Sequence, residues 1–215
     1  MDNLYHGTTR SNAEIILSSQ FIKPSAGDRH WLGDGVYFYK EDIMAYNWCF
    51  YEYRKTKSIS SMEEINPDEI YKNHSILLVK TNIESERIFD LNLVEHQIVF
   101  AKCIENLKEK KPFENNNSYA EGLILNLMFN ELGFNEKFDM VIGNFYKKEY
   151  PFPFGKKRIP IITEQQICIK KENCIKSIAD FNYKEKISSY NDLLGFINNN
   201  KYNYVSKRKY KYKTN

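Results

Sequence analysis

Two short stretches near the N-terminus constrain this chain more than any other part of it. Leu4-Tyr5-His6-Gly7-Thr8-Thr9 and Gly35-Val36-Tyr37-Phe38-Tyr39 read as short apolar strands, and each carries one conspicuous polar or aromatic side chain, His6 and Tyr37. Glu41 and Asp42 then open a helical run, with acids at its positive end, that carries Ile43, Met44, Tyr46, Trp48, Phe50 and Tyr51. Trp48 falls roughly 9 Å, about two turns, into that helix. A helix folding back over the preceding strand sets Trp48 opposite Tyr37. Between the two strands, 25–34 is rich in Gly, Asp and Ser and reads as a loop long enough to lie across a ligand.

The rest of the chain reads as alternating helices and strands. Ser11 with Glu14 has capping-box spacing and predicts a short helix over 12–19. The polar stretch 55–73 reads as a connection holding at most a turn of helix, and 75–80 is a strand. An amphipathic helix is predicted over 94–109 and a polar linker over 110–117. Ser118 with Glu121 repeats the capping-box spacing before the most apolar helix, 119–132, which stops at Gly133. A strand at 138–143 and an aromatic loop at 145–155 lead through 158–163 to a core strand at 164–169, and a last helix covers 188–199. That core strand opens with Glu164, Gln165 and Gln166, polar residues that are costly at the mouth of a buried strand unless they face a site or a partner.

Length and charge divide the chain into one domain, 1–200, and a tail, 201–215. A chain of 215 residues suits one domain with a substantial core. Its 15% aromatic content is high, but the abundance of Asn, Lys, Ile and Tyr suggests genome bias rather than ligand binding. The net charge is +3, of which the tail contributes six basic residues and no acid, so the body sums to −3. Tyr202, Tyr204, Tyr210 and Tyr212 interleave with those cations, a pattern that suits phosphate contact and base stacking as well as a solubilising tail. Cys49, Cys103, Cys168 and Cys174 lack zinc-site spacing and read as free thiols, so no metal is expected. No run reaches the roughly 18 apolar residues of a membrane span, and Met-Asp-Asn does not begin a signal peptide, so the expectation is a cytoplasmic protein without a membrane partner.

The combination of His6-Gly7-Thr8, Gly35-Val36-Tyr37-Phe38 and an aromatic residue eleven positions beyond the tyrosine resembles the ADP-ribosyltransferase superfamily. The likeness is to the branch that includes poly(ADP-ribose) polymerase catalytic domains and related bacterial enzymes. Trp48 stands where that branch usually has a second tyrosine. The resemblance covers residues 4–49 and extends in outline to 138–176. It implies an α+β fold of two small, antiparallel, twisted sheets forming an NAD cleft with helices outside. It also implies roles: His6 on the adenine-side ribose, the Gly7 backbone on the nicotinamide carboxamide, Thr8 fixing the ribose, and Tyr37 and Trp48 gripping the nicotinamide ring. Gly35 permits the tight approach of the tyrosine strand.

The family's third element is a glutamate at the opening of a strand, which stabilises positive charge on the nicotinamide-side ribose as nicotinamide leaves. Glu164, Gln165 and Gln166 are the residues available here. Laying the family strand on 167–169 without a gap puts Gln165 at the glutamate position. Strand alternation sends Glu164 and Gln165 to opposite faces, so a role for Glu164 calls for a bulge. The resemblance thus implies a mono-ADP-ribosyltransferase, a glycosyl transferase that uses NAD as co-substrate and a nucleic acid or protein as acceptor. The alternatives are a catalytically silent NAD or ADP-ribose binding module and an NAD glycohydrolase. Class and compartment together suit a toxin or antiviral defence effector held in check by an antitoxin-like partner.

Overall fold

Thr9 both ends the first strand and starts the first helix. Strand β1 (Leu4–Thr9) runs directly into α1 (Arg10–Ser19), and the Thr9 side chain accepts a hydrogen bond from the Asn12 amide. The cap is therefore two residues earlier than the Ser11–Glu14 spacing predicted, and the Ser11 hydroxyl contacts the Thr9 hydroxyl at 3.3 Å instead. The computed structural model describes residues 3–27, 30–59, 64–110, 120–146 and 163–199. The linker at 111–117, the Ser118 cap, 158–162 and the tail lie outside the described residues.

Next come β2 (Val36–Tyr39), α2 (Asp42–Lys57), α3 (Pro67–Asn73) and β3 (His74–Thr81). Helix α3 occupies what the sequence presents as a connection. Asn66 caps it by accepting from the Asp68 amide, and Pro67 sits at its first position, where no amide proton is needed. The chain continues through β4 (Ile88–Asp90), α4 (Val94–Lys110), α5 (Ala120–Glu131), the single turn α6 (Phe134–Lys137) and β5 (Met140–Tyr146). It closes with β6 (Thr163–Ile169), β7 (Ile175–Phe181) and α7 (Ile187–Asn199). Among the described residues no helix is long and apolar enough to cross a membrane.

The fold is α+β, built on a seven-stranded sheet in the order β4-β5-β6-β2-β1-β3-β7. All neighbours are antiparallel except β4 and β5, which makes the sheet mixed. Two separate small antiparallel sheets are the sequence expectation, and the structure replaces them with one hydrogen-bonded sheet because β2 pairs on both sides. The two pairings are unequal: β2 matches β6 from Val36↔Ile169 to Tyr39↔Gln166, whereas it meets β1 at Tyr5↔Tyr39 alone. A seam therefore divides β1-β3-β7 from β4-β5-β6-β2.

Alternation along the strands feeds three cores. Leu4, Val36, Phe38, Leu77, Val79, Met140, Ile142, Ile167 and Ile169 pack on one face with Ala13 and Ile16 of α1. On the other face, Ala45, Tyr46, Cys49, Phe50 and Tyr53 of α2 pack with Ile76 and the α7 residues Tyr190 and Leu194. Beside them, Ile124, Leu125, Met128 and Phe129 of α5 cover Val141 and Cys168. On this second face α2 and α7 thus cover the β1 side of the seam and α5 covers the β5 and β6 side.

Candidate functional site

The seam holds a cleft of about 370 Å³ lined by His6, Gly7, Thr8, Tyr37, Trp48 and Gln166, with Asn12, Ser25, His30, Trp31 and Tyr39 around them. β1, β2, α2 and β6 thus each contribute a residue that the sequence singles out. Gly7 lets α2 close over β1: a Cβ there would stand 2.5 Å from the Ala45 carbonyl oxygen, 3.1 Å from Cys49 Sγ and 3.2 Å from Trp48 Cε3. The absent side chain at Gly7 therefore sets how far Trp48 reaches over the cleft. Gly35, by contrast, packs against Ile169 and Cys168 of β6 and is not among the cleft-lining residues.

His6 fills the gap where the ladder between β1 and β2 is missing. Its Nδ1 lies 2.8 Å from the Tyr37 carbonyl oxygen. A carbonyl only accepts, so Nδ1 carries the proton and Nε2 is left as an acceptor. Burial holds the His6 pKa below its usual 6.5, which favours this neutral tautomer, while the bond to Tyr37 acts more weakly in the other direction. The ring also rests 5.7 Å from Phe38, which fixes its position from the core side.

Tyr37 is anchored as well as exposed to the cleft. Its hydroxyl donates to the Gly33 carbonyl at 2.6 Å and accepts from the Leu32 amide at 3.0 Å. Burial pushes its pKa well above the ordinary phenol value, with Cys168 as the next cause. The loop it grips is tied down from β6 and α5 too. Lys170 donates to the carbonyls of Leu32 and Asp34, both at 2.6 Å, and Asn126 of α5 accepts from the Asp34 amide at 2.6 Å. Gly122 lets α5 approach, since a Cβ there would overlap the His30 carbonyl oxygen at 1.7 Å. Ser25 and Gly35 close the loop by exchanging backbone hydrogen bonds of 2.8 and 2.9 Å. His30 lies 5.6 Å from the Tyr37 ring and Trp31 lies 4.6 Å from Phe145. Loop residues Ser25, His30 and Trp31 thereby form one wall of the cleft.

The third element differs from the gapless placement. Strand β6 pairs without interruption from Met140↔Ile169 to Tyr146↔Thr163, so it has no bulge. Gln166 sits opposite Tyr39 and faces the cleft. Gln165 points away: its amide donates to Asn144 Oδ1 at 3.1 Å, and it lines a separate polar groove with Lys40, Glu41 and Met44. Gln165 therefore does not line the cleft, because the pairing of Tyr39 with Gln166 sends its neighbour Gln165 to the opposite face. Glu164 lies on the same face as Gln166, two residues further out, and accepts from Gln166 Nε2 at 2.8 Å. It needs no bulge to get there. The Tyr39 phenol lies beside it, and burial first and the Glu164 charge second push the pKa of that phenol upward.

Sequence reasoning omits Tyr39 and Asn12 from the site, and it lays the 25–34 loop across the ligand without singling out His30 or Trp31. For Tyr39 the signal exists: it is two residues from Tyr37 on one strand, and alternation puts both on one face. His30 and Trp31 carry no comparable signal, since only the anchoring of their loop brings them to the cleft. The four cysteines are free as expected, with Cys49, Cys168 and Cys174 buried.

No family model and no solved structure matches the chain. A search of known proteins gives a relative in Methanocaldococcus jannaschii that is 35% identical over 204 residues, covering 87% of this chain and 90% of its own. The chain belongs to the same family as this relative, Uncharacterized protein MJ0359.

Proposed function

We propose that this protein is an NAD-dependent mono-ADP-ribosyltransferase with an ADP-ribosyltransferase-type fold split at the β1/β2 seam. The observation that carries the reading is the convergence of His6, Gly7, Thr8, Tyr37 and Trp48, from three separate elements, on one cleft of about 370 Å³. That volume falls in the range of small-molecule sites. His6 offers an acceptor nitrogen suited to a ribose hydroxyl. Tyr37 and Trp48 offer aromatic faces for a flat ring, each contact worth about 1 kcal/mol beyond burial. The loop carrying Ser25, His30 and Trp31 covers the adenosine side. Gln166 faces the reacting end and accepts a hydrogen bond from the nicotinamide-side ribose.

In the reaction the bond between the ribose C1′ and the nicotinamide nitrogen breaks, and its electron pair leaves with nicotinamide. A bond then forms from C1′ to the acceptor nucleophile, which gives up a proton. The acceptor is a nucleic acid or a protein, and the basic, Tyr-rich tail at 201–215 favours nucleic acid. A toxin or defence role with a neutralising partner belongs to the same reading.

One observation favours a second reading. The residue of the third element that faces the cleft is a glutamine, which lacks the charge of the family glutamate, so an NAD-binding module without turnover is the competing function. Incubation with labelled NAD and separate pools of RNA, DNA and protein distinguishes them. Label transferred to a pool with release of nicotinamide supports the transferase. Nicotinamide release without transfer marks a glycohydrolase, and tight NAD binding without either product marks the module. Deleting 201–215 should weaken capture of nucleic acid and its salt dependence while leaving NAD binding intact.

A further inference from the structure

The hydrogen bond between Gln166 and Glu164 assigns a role to a carboxylate that does not itself line the cleft. Gln166 has two unlike ends, an acceptor oxygen and a donor nitrogen, and a side-chain amide at the edge of a cleft is free to present either one. As the sugar becomes cationic its hydroxyl is acidified and becomes a stronger donor, so the oxygen end of the amide is the useful one. Glu164 removes the ambiguity. Its carboxylate accepts and does not donate, and it lies 2.8 Å from Gln166 Nε2, so the amide is fixed with its nitrogen toward Glu164 and its Oε1 turned away from that carboxylate. The backbone supports this pairing. Glu164 and Gln166 are alternate residues of an uninterrupted strand, held from one side by Gly143 and Phe145 of β5 and from the other by Tyr39 of β2. Tyr39 in turn stands beside the carboxylate and limits where it can turn.

We infer that Glu164 is a positioning residue, which orients the Gln166 amide with its carbonyl oxygen toward the nicotinamide-side ribose. The inference rests on the transferase reading for its effect on turnover, but the orientation itself is measurable without NAD. Glu164→Ala should leave the Gln166 amide unrestrained, so that its side-chain NH₂ resonances, assigned by comparison with Gln166→Ala, move toward the position of a solvent-exposed amide. Glu164→Gln presents an acceptor oxygen at the same place and should keep those resonances close to wild type.

Nicotinamide release should follow the same order. It should fall by about 50-fold or more in Glu164→Ala and by no more than about fivefold in Glu164→Gln, while NAD affinity changes less than about threefold in both, because the interaction is spent on the reacting sugar. Unmoved Gln166 resonances in Glu164→Ala would overturn the inference, as would release in Glu164→Gln as low as in Glu164→Ala. Resonances that respond to Glu164 in a protein that releases no nicotinamide from NAD would uphold the orienting contact and remove the transferase reading instead.

Discussion

Gly7→Ala isolates the packing that places Trp48. Gly7 lies in a strand and is not among the glycines with positive φ, so alanine fits its backbone. Without neighbours the change would stabilise the protein by about 0.4–1 kcal/mol, through the unfolded chain alone. The structure reverses that sign. The new methyl carbon would stand 2.5 Å from the Ala45 carbonyl oxygen, which belongs to the α2 backbone and has no rotamer to move into. The Cys49 and Trp48 contacts at 3.1 and 3.2 Å close off the adjacent directions. Helix α2 must therefore retreat from β1 by at least about half an ångström, and overpacking of this kind costs about 1–3 kcal/mol. A net loss of about 2 kcal/mol in a chain of this length corresponds to a Tm about 4–8 °C lower, read by calorimetry. Because Trp48 rides on the same helix, its fluorescence should shift in a Trp31→Phe background and NAD affinity should fall. A Tm equal to or above wild type, with unchanged Trp48 emission, would refute the close approach of α2 to β1.

Other expectations follow from the seam and its supports. His6→Gln keeps a donor for the Tyr37 carbonyl but loses the ring nitrogen at the cleft, so it should weaken NAD binding about tenfold with a small change in Tm, whereas His6→Ala should lower both; equal Tm values for the two variants would contradict the structural half of this role. Since burial lowers the His6 pKa from 6.5, its neutral form is fully present above that pH and is lost only as pH falls through the lower folded value, so NAD affinity measured by calorimetry should hold level down to pH 6.5 and decline below it. Tyr37→Phe removes the partner of the Leu32 amide and the Gly33 carbonyl; hydrogen exchange at Leu32 should accelerate, and stability should drop by about 1–2 kcal/mol. Asp139, buried between Arg87 and Lys171, is held at a pKa of about 2, chiefly by its hydrogen bond to Arg87. Its contribution of about 2 kcal/mol is present above pH 4 and disappears as pH falls through about 2, so Asp139→Asn should destabilise the protein at neutral pH and match wild type at the acid end of a denaturation series.

What was legible in the sequence was what is local. His6 and Tyr37 each stand within two residues of a glycine in a short motif and Trp48 follows on the next helix, so short-range spacing marked all three, although the approach of that helix rests on the distant Gly7. Gln165 shows where that logic stops. Which of three adjacent polar residues faces inward depends on the pairing Tyr39↔Gln166, a contact between segments more than a hundred residues apart, and a shift of one residue exchanges the two faces. The α+β class was legible, but the order of the strands in the sheet was not, for the same kind of reason. β4 has three residues, too few to show alternation, and β7 reads Ile-Lys-Ser-Ile-Ala-Asp-Phe because it is an edge strand with exposed positions. The parallel pairing of β4 with β5 leaves no mark in either strand.

The seam explains why histidine, and not another polar residue, stands at position 6. Two strands that share one pair leave backbone groups beyond it without a ladder partner, and a buried carbonyl in that state costs about 1–3 kcal/mol. Lysine would satisfy the Tyr37 carbonyl but brings a charge to be buried and has no acceptor to offer a ligand. Serine is too short to cross from one strand to the next, and an asparagine or glutamine places its donor and acceptor on one carbon, so both act at the same end of the side chain. Imidazole puts a donor and an acceptor on opposite edges of a rigid ring that also packs on Phe38. The same residue can then hold the strands at the spacing that opens the cleft and present an acceptor inside it. Opening the sheet and binding in the opening are, at this position, a single requirement on the side chain.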